Sequence, residues 1–341
     1  MSLSSHIASK ASPVRAWLEA TLPETRALAT NANRALRGQA VDCPVPRVPG
    51  ADPGLVGTAL DYLLRACLRV TSIEWTVASK AAQQLASYPA IDIRAIEVER
   101  EAVAGIKKLR PSSRDLDDSE WSELCVRCLV LARFEQFFRA GPMNPAISEF
   151  VIEPLTRCTG LDDFVELNLN AQTTRDLELL GRSSWEDTRT LRNARPLVLN
   201  PRFKLSVELG GADADLIARR RLIDWKATTK TGIVGRPELW QLAGYALADT
   251  DDEHQIREVG IAALRWRSAV SWRLEDFLAE LAPGPPASLK LISGMPPHRA
   301  SIDIGALRRD FAHVVHQMRK RNKGASARMR RQLPQRPGAT G

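Results

Sequence analysis

The spacing of apolar residues changes character once along this chain, near Pro196, and that change restricts the fold more than any bulk property does. Before it, apolar residues recur at helical spacing. Residues 12–38 read as a helix ending at Arg37-Gly38, a Pro/Gly-rich connector covers 41–54, and helical text resumes at Gly54, where Leu55, Ala59, Leu63 and Ala66/Cys67 share one face. Two further helical runs span roughly 74–109 and 119–140, separated by a polar loop at 109–119, and 143–195 mixes short helical pieces with an Asn-rich break. After Pro196 the text turns to short strands: 203–209 (FKLSVEL), a Gly-Gly break, 212–218 (ADADLIA), a turn at Arg219-Arg220, and 221–227 (RLIDWKA). A helix over 237–249 opens on Pro237, strands follow at 258–266 and 269–273, then a helix at 274–282, a Pro-rich linker and a last helix at about 303–321. The expectation is an α/β protein: a mostly helical region over 1–195, a strand-and-helix core over 196–282, a linker and helix over 283–318, and a basic, disordered tail over 319–341.

Charge isolates that tail. The chain of 341 residues carries 48 Lys plus Arg against 40 Asp plus Glu, a net +8. Residues 319–336 contain Arg319, Lys320, Arg321, Lys323, Arg328, Arg330, Arg331 and Arg336 and no acid, which leaves the rest balanced at 40 against 40. Such a block adds sequence-independent, salt-sensitive affinity for phosphates, or serves solubility alone. No apolar run approaches the roughly 18 residues of a membrane span and the N-terminus has no signal-like apolar stretch, so a cytoplasmic protein with no membrane partner is expected. The five cysteines are irregularly spaced; Cys125 and Cys128, at i,i+3 on an apolar helix without a second pair, read as core residues, and neither a disulfide framework nor an iron–sulfur cluster is expected. His313 and His316 have no acidic partners that would make a zinc site.

The chemistry concentrates in residues 210–247. Side chains alternate along strands, so Asp213 and Asp215 project to one side of their strand and Asp224 and Lys226 to one side of the next, which the tight turn makes an antiparallel neighbour. Carboxylates and an ammonium converge there, a setting for a hard divalent cation, Mg²⁺ or alternatively Mn²⁺, held by Asp215 and Asp224. Such an ion activates water and neutralises a phosphate, and Lys226 could position the water or stabilise the transition state. Spacing alone carries little weight, because about one acid-x-Lys triplet is expected by chance in this composition; the setting carries it, with Gln241 and Tyr245 following at i,i+4 on one face of the next helix. Thr228, Thr229, Lys230 and Thr231 form a polar loop that could touch phosphate.

Asp-x-Asp on one strand, Asp-x-Lys on the next and Gln-x-x-x-Tyr on the helix after them resemble the PD-(D/E)XK nuclease superfamily, in particular its RecB-like branch. The likeness is good over about 205–275 and vague before 200. It implies a restriction-endonuclease-like core, a mixed central sheet flanked by helices. It implies Asp215 as the first metal-binding acid, Asp224 as the second, Lys226 as the catalytic lysine, and Gln241 and Tyr245 as the pair that contacts DNA and supports the site, with Asp213 auxiliary. The branch also carries an early helical Gly-x-x-x-His; here Gly57-Thr58-Ala59-Leu60-Asp61 offers Asp61 in place of His, and Glu135 competes for the same role. The expectation is a Mg²⁺-dependent deoxyribonuclease acting on single- or double-stranded DNA. Two other classes stay open: a nucleic-acid-binding protein with this fold but no turnover, and a protein–protein scaffold. The four charged residues could also be ordinary cross-strand ion pairs.

Overall fold

The computed structural model describes residues 2–38, 42–141, 144, 148–212, 214–283 and 302–332, with Ser148 and residues 322–332 described by backbone alone. Thirteen α-helices are described, in chain order: α1 (Leu3–Ala8), α2 (Pro13–Thr21), α3 (Arg26–Arg37), α4 (Pro53–Leu68), α5 (Val77–Leu85), α6 (Arg94–Leu109), α7 (Asp118–Ala140), α8 (Glu153–Arg157), α9 (Leu161–Asn168), α10 (Ala171–Thr188), α11 (Arg236–Ala248), α12 (Leu274–Leu281) and α13 (Ile304–Gln332). Five strands, β1 (Leu197–Leu199), β2 (Leu216–Ala218), β3 (Arg221–Lys226), β4 (Glu258–Ala263) and β5 (Ser268–Arg273), form one mixed sheet in that order. β1, β2 and β3 make an antiparallel meander; α11 then crosses over so that β4 runs parallel to β3, and β5 returns antiparallel. The two-residue loop between β2 and β3 puts Arg219 and Arg220 at positive φ, as a hairpin matched to strand twist requires. Arg220 O accepts from Arg257 N and anchors the start of β4 beside it.

The helical layer grows from local signals. Asp52 caps α4, accepting from Gly54 N and Leu55 N, with Pro53 in the first turn where its missing N–H is harmless. Asp117 and Glu120 form a capping box at the start of α7. α4 is buried almost all round, packed against α7 and α10, and Gly181 lets α10 approach it: a Cβ there would fall 2.3 Å from Leu63 Cδ2.

Several elements differ from the sequence expectation, each for a physical reason. The helix over 12–38 is two, because Pro23 has no N–H and excludes Leu22 from helical backbone; the run at 74–109 breaks in the same way around Pro89. Residues 203–209 are turns instead of a strand: Leu209 N donates to Leu205 O, and the Ser206 hydroxyl accepts from Phe203 N and donates to Ala212 O. Leu205 and Leu209 are buried at i,i+4 while Val207 stands 75% exposed, and Gly210 and Gly211 supply the positive φ that reverses the chain. The following strand begins only at Leu216, and β1 is an additional strand. The tail begins as helix: α13 continues to Gln332, and Arg319 pairs with Glu208 at 3.0 Å. The linker residues 284–301 and the tail residues 333–341 lie outside the described residues.

Burial crosses the boundary expected at 195/196. Leu3, Val14, Leu18, Leu28 and Leu36 from α1–α3 pack with Ile217, Leu222, Val259 and Ile261 of the sheet, Trp240 of α11 and Phe311 of α13. α4 through α10 build a separate core that includes Cys67, Cys125, Cys128 and Cys158. Among the described residues no helix is long and apolar enough to cross a membrane.

The two cores are joined by a buried ion pair. Arg265, just after β4, donates to both oxygens of Asp176 on α10 at 3.2 and 2.5 Å, with side chains 2% and 0% exposed. The same guanidinium donates to Ala227 O, Val45 O and Pro46 O, and Asp176 also accepts from Val48 N. Removing one partner of such a pair leaves a buried charge uncompensated. Arg265→Met or Asp176→Leu alone should therefore lower unfolding free energy by about 3–5 kcal/mol in urea titrations, and the double variant should lose less than the sum.

Candidate active site

β3 separates two kinds of chemistry by alternation. Leu222 joins the sheet core on the α11 side, and Asp224 and Lys226 share its parity, while Ile223 and Trp225 pack toward the opposite face. Leu216 is the register partner of Ile223, so the residue one step outward, Asp215, comes opposite Asp224. Asp215 Oδ2 accepts from Trp225 N, which clamps that carboxylate onto the β3 backbone beyond the last ladder pair. Asp224 is 5% exposed. Its Oδ2 is paired with Lys226 Nζ at 2.7 Å, a contact that lacks hydrogen-bond geometry.

α11 supplies the polar side of this face. Lys226 Nζ donates to Gln241 Oε1 at 3.2 Å, and Gln241 Nε2 donates to Tyr245 Oη at 2.7 Å and to Ser4 Oγ of α1 at 3.2 Å. Tyr245 is buried with its ring stacked on Phe203, centroids 5.9 Å apart, so the accessible member of the pair is Gln241. The loop carrying Thr228–Thr231 is half-buried at Thr228 and exposed from Thr229, with Lys230 N donating to Thr228 Oγ1.

α4 brings a third carboxylate. Asp61 is paired with Arg65 one turn on, 2.5 Å from Oδ2 to the guanidinium. Its charge reaches Asp215: burial first, then Asp224, then Asp61 hold the Asp215 carboxyl well above the usual carboxylate range, against the opposing Trp225 N–H and Lys226. Asp61 itself is raised by burial and by Glu135, with Arg65 opposing. Glu135 stands behind it, with one oxygen accepting from Tyr62 Oη at 2.7 Å and the other from Arg139 Nε at 2.6 Å. Of the two helical acids that the sequence offers, Asp61 acts directly on Asp215, and Glu135 acts on Asp61. Burial pulls the Lys226 ammonium down, but Asp224, Asp215 and Glu238 outweigh it and lift its pKa.

Asp215, Asp224, Lys226, Gln241, Tyr245 and Asp61 therefore meet in one region. Asp213 lies outside the described residues. Arg65 and Ser4 are at the site although the sequence motifs do not single them out; Arg65 at i,i+4 from Asp61 is the signal that could have found it. Among the described residues no three His, Cys, Asp or Glu side chains stand close enough to hold a metal ion as a group. Two facts still fit a hard cation: the buried Asp224 carboxylate, whose Oδ2 is paired with Lys226 but lacks hydrogen-bond geometry, and the Asp215 carboxyl facing it across the hairpin. Mg²⁺ commonly keeps several waters and takes one or two protein carboxylates. No family model, curated protein or solved structure matches the chain.

A carboxyl pKa raised by folding means that the native state retains a proton the unfolded chain has released. Stability should then fall as pH rises from the ordinary value of 3.8 through the raised one. Asp215→Asn keeps an acceptor for Trp225 N–H and removes this contribution. Metal-free thermal melts between about pH 4 and pH 8 should show a flatter decline for Asp215→Asn than for wild type.

Proposed function

We propose that the protein is a metal-dependent deoxyribonuclease with a restriction-endonuclease-like core, of the RecB-like branch of the PD-(D/E)XK superfamily. The observation that carries this is the pairing of Asp215 with Asp224 across the β2–β3 hairpin while Lys226, two residues on, is held between Asp224 and Gln241. The order of elements supports it as well: an antiparallel meander, a crossover helix carrying Gln241 and Tyr245, and a parallel fourth strand.

Asp215 and Asp224 would hold the divalent cation, with Asp61 behind them. A bound Mg²⁺ would supply a water of lowered pKa and neutralise charge on the scissile phosphate. Lys226 stays cationic, because the Asp224 carboxylate beside it favours its charged form, and so can orient a water or bind a phosphate oxygen through its remaining N–H groups. Gln241 restrains that ammonium from the other side, and Tyr245 and Ser4 fix the Gln241 amide. The basic residues from Lys323 to Arg336 would add loose, sequence-independent affinity for DNA.

The test is incubation of the purified chain with single- and double-stranded DNA in Mg²⁺, Mn²⁺ or EDTA. Cleavage should require metal, and Asp224→Asn and Lys226→Met should each reduce it by about 100-fold or more while the protein still melts cooperatively. DNA bound but never cut would leave the non-catalytic binder; no salt-dependent binding would leave the scaffold. Truncation after Arg321 retains Met318 and Arg319, which belong to the folded body. It should weaken DNA binding and reduce its log–log salt slope, by up to about 0.9 per phosphate that the removed cations neutralise, with low-salt cleavage retained.

A further inference from the structure

Arg65 is a full positive charge in the protein interior, 2% exposed, on α4 beside Asp61. Its guanidinium lies 2.5 Å from Asp61 Oδ2, donates to Asp61 O, and sits 4.7 Å from the centroid of the Tyr62 ring. Glu135 and Asp215 also act on it electrostatically. A buried charge survives only with compensation, and here the compensating groups are acids of the candidate site and its backing layer. The converse holds for the acids: Asp61 has Arg65 and the more distant Arg139 as cationic neighbours, and Asp215 and Asp224 have Lys226.

We propose that Arg65 is a resident cation of the carboxylate site alongside Lys226: it locks Asp61 in place by a bidentate-capable guanidinium and adds positive charge that lets the acids sit together before a divalent metal binds. The metal then enters a site already partly neutralised, so Arg65 limits metal affinity in exchange for a folded metal-free state. Arg65 is a positioning residue; it acts through Asp61 and is too buried to reach a substrate phosphate. This inference rests on the metal-site reading above.

Thermal melts of the full chain in EDTA and in Mn²⁺ separate the two. In EDTA, Arg65→Met should melt roughly 5–10 °C below wild type, Arg65→Lys should lose less, and adding Asp61→Asn to Arg65→Met should restore part of the loss. Mn²⁺ should raise the melting temperature of Arg65→Met by more than it raises wild type. If Arg65→Met does not fold in EDTA, rescue by Mn²⁺ or by Asp61→Asn supports the proposal, and rescue by neither overturns it. An unchanged melt in EDTA, or a Mn²⁺-induced rise no larger than that of wild type, also overturns it. Wild-type chain that neither cuts DNA nor responds to Mn²⁺ fails the nuclease reading instead, and relief by Asp61→Asn in EDTA still decides whether Arg65 serves the acids.

Discussion

The buried pair between Arg265 and Asp176 is the interaction on which the geometry of the site depends. Arg265 follows β4, Asp176 belongs to α10, and the carbonyls that share the guanidinium come from the residue after β3 and from the connector leading into α4. Four pieces of chain thus meet around one desolvated charge. α10 packs on α4, so fixing α10 against the sheet also fixes α4, and with it Asp61 and Arg65, relative to Asp215 and Asp224. A buried ion pair is a weak source of net stability, since desolvation offsets most of the attraction, but its directional hydrogen bonds discriminate strongly between correct and displaced docking. That is the property needed where two separately packed cores must place carboxylates within reach of each other.

The site inherits its electrostatics from this docking. Two strands alone would present Asp215 and Asp224 with Lys226, an arrangement any exposed hairpin could hold. Burial by α4 and α11 changes its character: Asp215 is driven toward its neutral form, Asp224 is left 5% exposed, and Lys226 is held charged between an acid and an amide. Perturbed pKa values cluster at functional sites, and structural ion-pair networks also produce them. Aromatic and aliphatic packing lies beside the site, with Phe203 stacked on Tyr245 and Leu3 in the same buried cluster as α11.

What was legible in the sequence was local. Leu222-Ile223-Asp224-Trp225-Lys226 alternates within one strand, the turn residues Arg219 and Arg220 stand directly before it, and Gln241 and Tyr245 lie one helical turn apart; each of these needs only the residues beside it. What was hidden depends on distant chain segments. Ser4 reaches Gln241 across 237 positions and Arg265 reaches Asp176 across 89, and no periodicity announces either. Residues 203–209 misled because alternating apolar residues fit a strand as well as a turn in which Leu205 and Leu209 are buried at i,i+4; the Ser206 hydroxyl, bonding its own backbone neighbours, tips the balance. The folding of α1–α3 onto the sheet was hidden for the same reason, since an amphipathic helix shows that it has an apolar face and not what covers it.

The most direct test is anomalous diffraction from crystals of the full chain soaked in Mn²⁺. A peak within about 2.2 Å of carboxylate oxygens from both Asp215 and Asp224, with Lys226 and Gln241 still in contact beside it, is the expected result. No peak at that position, with Lys226 remaining paired to Asp224 and manganese found elsewhere or nowhere, would show that these residues form a structural ion pair and that the metal-dependent account is wrong.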